Sequence, residues 1–148
     1  MENLVENDIF IDETENSAIN AIIKKGIIDY NAPFFGSTSS LPFTIYVKDF
    51  KSNVIAGLTG FYREKYARVD LFWVHNEFRN QGLGRKLILK LEEFSKTKGC
   101  RYIQLDTFDF QARPFYEKLG FECIGTISKW VEDRDCHFMR KIISQLKS

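Results

Sequence analysis

Apolar, β-branched and aromatic runs broken by polar turns dominate the middle of the chain. TIYVKD (44–49), VIAGLTGFYRE (54–64) and YARVDLFWVH (66–75) are β-branched or aromatic runs separated by short turns, a pattern that predicts an antiparallel meander. The period then changes. Leu83, Leu87, Ile88, Leu91 and Phe94 form an apolar stripe at helical spacing, with Arg85, Lys86, Lys90, Glu92, Glu93 and Lys96 outside it, and Gly99 falls just past the helix end. RYIQLDTF (101–108) reads as the next strand, QARPFYEKLG (111–120) as a short helix ended by Gly120, and FECIGTIS (121–128) and CHFMRKII (136–143) as two last strands.

At the front, DIFID (8–12) reads as a first strand. Ile19, Ile22, Ile23 and Ile27 mark a helix within Thr14–Tyr30, with Asp12 or Thr14 as its cap, and NAPFFGSTSSLP (31–42) reads as a loop. The order β-α-βββ-α-β-α-ββ predicts an α/β domain of the α+β type, with a mixed central sheet flanked by helices. The 148 residues show no repeat or linker, so one domain over 1–148 is expected.

Composition narrows the classes. The fractions, 44% hydrophobic, 28% charged and 15% aromatic, are those of a folded globular protein. No apolar run approaches the roughly 18 residues of a membrane span, and the acidic N-terminus does not read as a secretory signal, so the expectation is a cytoplasmic protein without a membrane partner. Cys100, Cys123 and Cys136 are odd in number and widely spaced, which indicates neither a disulfide framework nor a metal pair, and His75 and His137 alone do not make a zinc site. Residues 1–60 hold four Lys/Arg against eight Asp/Glu, and residues 61–148 hold 17 against 12. That asymmetry suits a cationic substrate and an anionic cofactor, and equally suits chance scatter; no basic cluster is dense enough for a nucleic-acid partner.

The candidate chemistry centres on RNQGLGRKL (79–87), where two glycines fall at the start of the predicted helix. A helix start leaves backbone N–H groups unpaired and carries partial positive charge, so a phosphate is favoured there, and Arg79 and Arg85 add charge. A P-loop is excluded because Gly84 is followed by Arg-Lys-Leu, without a hydroxyl residue. The dinucleotide fingerprint has its first two glycines at Gly82 and Gly84 but Leu87 at its third, leaving only Asp106 at the ribose-binding distance in its favour.

With these residues the chain resembles the GNAT superfamily of N-acetyltransferases over nearly its whole length. Arg79, Gly82 and Gly84 match the Arg/Gln-x-x-Gly-x-Gly/Ala hallmark, LFWV ending at Val74 matches the strand before it, and FYEKLGF (115–121) matches the second mark. The chain departs at Asn76, where the family often has Pro, and at Phe110 or Gln111, where it often has Asn. The resemblance implies a GNAT-like acyl-CoA N-acyltransferase fold and acetyl-CoA as co-substrate, without a metal. It implies the pyrophosphate on the backbone of Gln81, Gly82, Leu83, Gly84 and Arg85, with Arg79 nearby. It further implies the pantetheine along Phe72, Trp73 and Val74, and the thioester beside Tyr116 as acid for the leaving thiolate.

The reaction implied is direct attack of a neutral amine in a ternary complex. Such an amine has a pKa of about 10, so a proton acceptor is wanted. Asp70 and Asp106, carboxylates inside strand patterns, are candidate bases, with the alternative that they satisfy loop amides or an arginine. His75 and His137 read as turn and strand residues. The acceptor is expected to be a small-molecule or peptide amine, met by residues 31–40 and by KWVEDRD (129–135), where Glu132, Asp133 and Asp135 carry charge and Phe34, Phe35 and Trp130 offer apolar walls. A homodimer is compatible with this reading. The alternative is a non-catalytic CoA-binding sensor on the same fold.

Overall fold

The computed structural model describes residues 8–36 and 39–144, and the chain falls into two compact units, Met1–Ser39 and Ser40–Ser148. In the first unit, helix α1 spans Ser17–Phe35. Asn16 caps it, its side chain accepting from the Ile19 amide at 3.1 Å, in place of the expected Asp12 or Thr14. The helix runs past the expected loop start and takes in Pro33, which supplies no N–H to its ladder, before Gly36 (φ 74°) ends it. Residues 8–12 are irregular, against the expected strand, because a short apolar run makes no strand where no ladder forms.

The second unit is one six-stranded sheet with two helices. Its elements are β1 (Leu41–Lys48), β2 (Val54–Arg63), β3 (Tyr66–Val74), α2 (Leu83–Thr97), β4 (Tyr102–Phe108), α3 (Arg113–Lys118), β5 (Glu122–Val131) and β6 (Arg134–Ile142), with a single 3₁₀ turn at Asn76–Phe78. The strands lie in the order β1-β2-β3-β4-β6-β5. Every neighbouring pair is antiparallel except β3–β4, which is parallel and joined through α2, as a parallel crossover requires.

Turn chemistry sets the hairpins. Asp49 Oδ1 accepts from the amides of Lys51 and Asn53, closing β1 onto β2, and the Asn53 amide is the main cause holding the Asp49 carboxyl below its usual range. Glu132 and Asp133, both at positive φ, make the two-residue turn between Val131 and Arg134. The core lies between the sheet and its helices: Phe43, Leu58, Val69, Ile103, Leu105 and Met139 from the strands meet Leu87, Ile88 and Leu91 of α2. Glu92 of α2 pairs with Lys141 of β6 at its edge.

Two irregularities of β3 position the site. Thr59 pairs with Leu71 while the next residue, Gly60, pairs with Val69, so Asp70 is an extra residue without a partner in β2. A methyl group on Gly60 would lie 1.8 Å from the Arg68 carbonyl oxygen, so only glycine admits this bulge. On its other side β3 pairs with β4 at Tyr66, Ala67 and Arg68 alone, and the two strands part beyond Arg68. From there to Val74, β3 has no ladder to β4.

Candidate active site

The gap between β3 and β4 leads to the start of α2. Here Gly82 is the N-cap in left-handed conformation (φ 80°) and offers no side-chain acceptor. The first helical bond runs from the Lys86 amide to the Gly82 carbonyl, so the amides of Leu83, Gly84 and Arg85 stand free at the positive end of the helix. The preceding loop is held in place by its own side chains. His75 Nδ1 accepts from the Glu77 amide at 3.2 Å, Gln81 Nε2 donates to the Glu77 carbonyl at 3.2 Å, and Arg79 Nε donates to the Val74 carbonyl at 2.9 Å. Arg79 therefore ties the phosphate-type loop to the end of β3, and His75 acts as the expected turn residue.

The two glycines do different work. At Gly82 an added methyl group would meet open space, so a ligand can approach the backbone freely there. At Gly84 it would lie 3.2 Å from the Phe115 ring and 3.3 Å from the Phe72 ring, so this glycine lets α2 sit close on the aromatic floor rather than opening it to a ligand.

That floor brings β3 and α3 together. Phe72 stacks on Phe115 with centroids 6.2 Å apart and meets Tyr116 at 6.3 Å, and Tyr116 packs edge-on against Phe115 and Phe121. Tyr116 is 7% exposed, and burial pushes its phenol up to about 12. Trp73 points to the opposite face, half exposed, with its ring against His75.

Asp70 and Asp106 come together on a residue the sequence reading did not single out. Arg68 Nη2 reaches Asp106 Oδ1 at 2.6 Å, and Arg68 Nε reaches Asp70 Oδ1 at 3.4 Å. The arginine thus bridges the fork itself, from the last paired residue of β3 to β4. Buried Cys136 lies beside it: burial is the main cause raising its thiol, Asp106 adding and Arg68 opposing. Buried Cys100 is likewise raised by desolvation. Both thiols stay protonated near neutral pH and are poor nucleophiles.

His137 is a strand residue, its Nδ1 within 2.8 Å of Thr126 Oγ1. Asp135 accepts from the Lys129 amide at 3.0 Å, which leaves Glu132 and Asp133 as the free acids of the β5–β6 turn. Trp130 belongs to a row of rings with Phe138, Phe108 and Phe110, while Phe34 and Phe35 stand in α1 of the first unit. Gly60 was also missed; a lone glycine inside a strand pattern is the signal for a bulge. Among the described residues no group of three or more His, Cys, Asp or Glu is arranged to hold a metal.

Comparison with known proteins gives a concordant picture. The family model described as "Acetyltransferase (GNAT) family" matches residues 14–121. An acetyltransferase of Agrobacterium fabrum is 28% identical over 140 residues, which cover 89% of this chain and 98% of that protein. The blasticidin-S acetyltransferase of Streptomyces morookaense is 32% identical over 92 residues, 62% of this chain and 68% of its own. The crystal structure of an acetyltransferase from Bacillus cereus overlays with a TM-score of 0.79 at 29% identity, covering 90% of this chain and 97% of that one.

Proposed function

The chain belongs to the GNAT family of acetyltransferases, and from that premise we propose that residues 1–148 act as one N-acetyltransferase domain, moving the acetyl group of acetyl-CoA to a primary amine of a small molecule or peptide by direct attack in a ternary complex. The observation that carries this reading is the parting of β3 and β4 beyond Arg68, with the free amides of Leu83, Gly84 and Arg85 at the end of the gap. Three convergent N–H donors at a helix start fit a pyrophosphate, and the unpaired edge of β3 through Phe72, Trp73 and Val74 fits an amide-bearing arm that pairs like a strand.

Acetyl-CoA supplies the activated acyl group, a thioester carbonyl open to attack by an amine. The chain's residues orient and stabilise. Arg79 fixes the end of β3 through the Val74 carbonyl, holding the backbone donors of that strand where an oxyanion would develop. Tyr116 serves as hydrogen-bond donor to the leaving sulfur. Burial keeps its phenol protonated at neutral pH, ready to donate to that sulfur, and the proton lost by the attacking amine balances the one sulfur gains. Asp70 and Asp106, both engaged by Arg68, shape the fork and lend it negative charge for an incoming ammonium; bulk water takes the ammonium proton before attack.

Binding is the first test. Acetyl-CoA at about 100 times its Kd contributes about 2.7 kcal/mol, or roughly 5–10 °C in melting temperature for a chain of this size, and NAD contributes nothing. Stabilisation by NAD alone would reject the reading.

A further inference from the structure

The face of the sheet that carries Arg68 and Asp106 also carries an uninterrupted row of aromatic rings. Phe138 is the direct register partner of Asp106, and directly paired residues share a face. From Phe138 the row continues to Trp130 at 6.0 Å and 30°, from Trp130 to Phe108 at 6.4 Å and 33°, and from Phe108 to Phe110 at 5.7 Å and 14°. The Phe108–Phe110 pair is stacked and the other two contacts are tilted, so the row offers ring edges as well as faces. Trp130 is 51% exposed and Phe110 62% exposed, which is large for rings outside a core.

The row ends at a cavity of about 370 Å³ lined by Phe108, Phe110, Val131, Glu132 and Arg134. That volume lies within the range of small-molecule sites, and the lining has their usual composition of apolar walls with a few polar groups. Arg134 is anchored by Asp109 at 3.6 Å and lies 5.5 Å over the Phe110 ring, while Glu132 stands at the turn. The arrangement is therefore a carboxylate fork at one end, aromatic walls between, and a guanidinium with a carboxylate at the other.

We infer that the acceptor is a primary amine carried on a flat, π-rich ring, aromatic or heteroaromatic, packed against the exposed edges and faces of Trp130, Phe108 and Phe110 with its amine toward the Arg68–Asp106 fork. This rests on the acetyl-transfer reading above and adds the substrate class to it. Exposed aromatic rings favour a planar π partner over a saturated ring of equal size, because offset-stacked or edge-to-face ring contacts add to area burial. Glu132 and Arg134 then meet polar atoms on the ring's far edge.

The test uses the full chain with acetyl-CoA and three acceptors: 2-phenylethylamine, 2-cyclohexylethylamine and spermidine. Thiol release gives kcat and KM, and calorimetry gives acetyl-CoA affinity. The expected result is a kcat/KM for 2-phenylethylamine about three- to tenfold above that for the saturated analogue and above that for spermidine. Trp130→Ala is expected to raise KM for 2-phenylethylamine by a similar factor, with Trp130→Phe restoring it and acetyl-CoA affinity unchanged in both. Equal kcat/KM for the two ring amines, preference for spermidine, or an unchanged KM in Trp130→Ala would overturn the inference while acetyl-CoA binding stands. Failure of acetyl-CoA itself to bind would overturn the acetyl-transfer reading together with it.

Discussion

Arg68 and Asp106 form an ion pair of 2.6 Å across the point where two parallel strands separate. Arg68 is the last β3 residue in register with β4, and the strand's bulge follows two residues later at Asp70. The pair therefore clamps the closed end of the gap and fixes where it begins.

Under the proposed route, in which bulk water takes the ammonium proton, neither Asp70 nor Asp106 acts as the base. Asp106→Asn and Asp70→Asn are expected to keep a kcat/KM that rises about tenfold per pH unit between 7 and 9, following the neutral fraction of the amine. Asp106→Asn, which leaves the Arg68 guanidinium half-buried without its closest partner, is expected to lose about 1–3 kcal/mol of stability. A fall in kcat of about 100-fold or more with either substitution, in a folded protein that still binds acetyl-CoA, would identify that residue as the base.

Gly60→Ala forces a methyl group against the Arg68 carbonyl, 1.8 Å away. The bulge must shift or the strand must straighten. The expected cost is about 3 kcal/mol or more, with loss of acetyl-CoA binding, measured by thermal unfolding with and without ligand. A variant of ordinary stability that still binds would show that the bulge does not set the gap.

The glycines of the loop should separate by effect. Gly82→Asp places a carboxylate in open space beside the free amides, and is expected to weaken acetyl-CoA binding about 100-fold or more by charge repulsion. Gly84→Ala presses on Phe72 and Phe115 and is expected to cost about 1–2 kcal/mol of stability. Calorimetry on both variants, together with their melting temperatures, checks the division of roles.

Tyr116→Phe removes one donor to a group that gains charge, and kcat is expected to fall about 10- to 100-fold with acetyl-CoA affinity nearly unchanged. The raised phenol has a linked effect on stability. Between pH 10 and about 12 the unfolded chain releases this proton and the folded chain keeps it, so stability falls with rising pH in that window, by about 3 kcal/mol in all. Tyr116→Phe is expected to lose that alkaline slope, which denaturant titrations at pH 9 and 11 would show. An unchanged slope would mean that the phenol is not held up by burial.

Much of the second unit was legible in the sequence. The runs from Thr44 to His75 are rich in β-branched and aromatic residues between short turns, and the Leu87–Ile88–Leu91 stripe packs on the face they bury. The front of the chain was less so. DIFID has a strand's apolar run without a ladder, and Pro33 suggested a break where α1 continues to Phe35. In the site, the glycine loop and Tyr116 could be placed from motifs, because backbone chemistry at a helix start is local. Arg68 could not, since its meaning depends on Asp106, 38 residues away and beside it only once β3 and β4 are parallel. The aromatic row was illegible for the same reason: Phe108, Trp130 and Phe138 come from three strands.

Acetyl transfer itself is tested most directly by a mass-balanced assay of the full chain with acetyl-CoA and a panel of primary amines, following free thiol and N-acetylamine together. The expected result is thiol release that requires an amine and matches N-acetylamine one for one, with no acetyl group left on the protein. Saturable acetyl-CoA binding without amine-dependent thiol release for any amine, or an acetylated protein formed before amine is added, would contradict it.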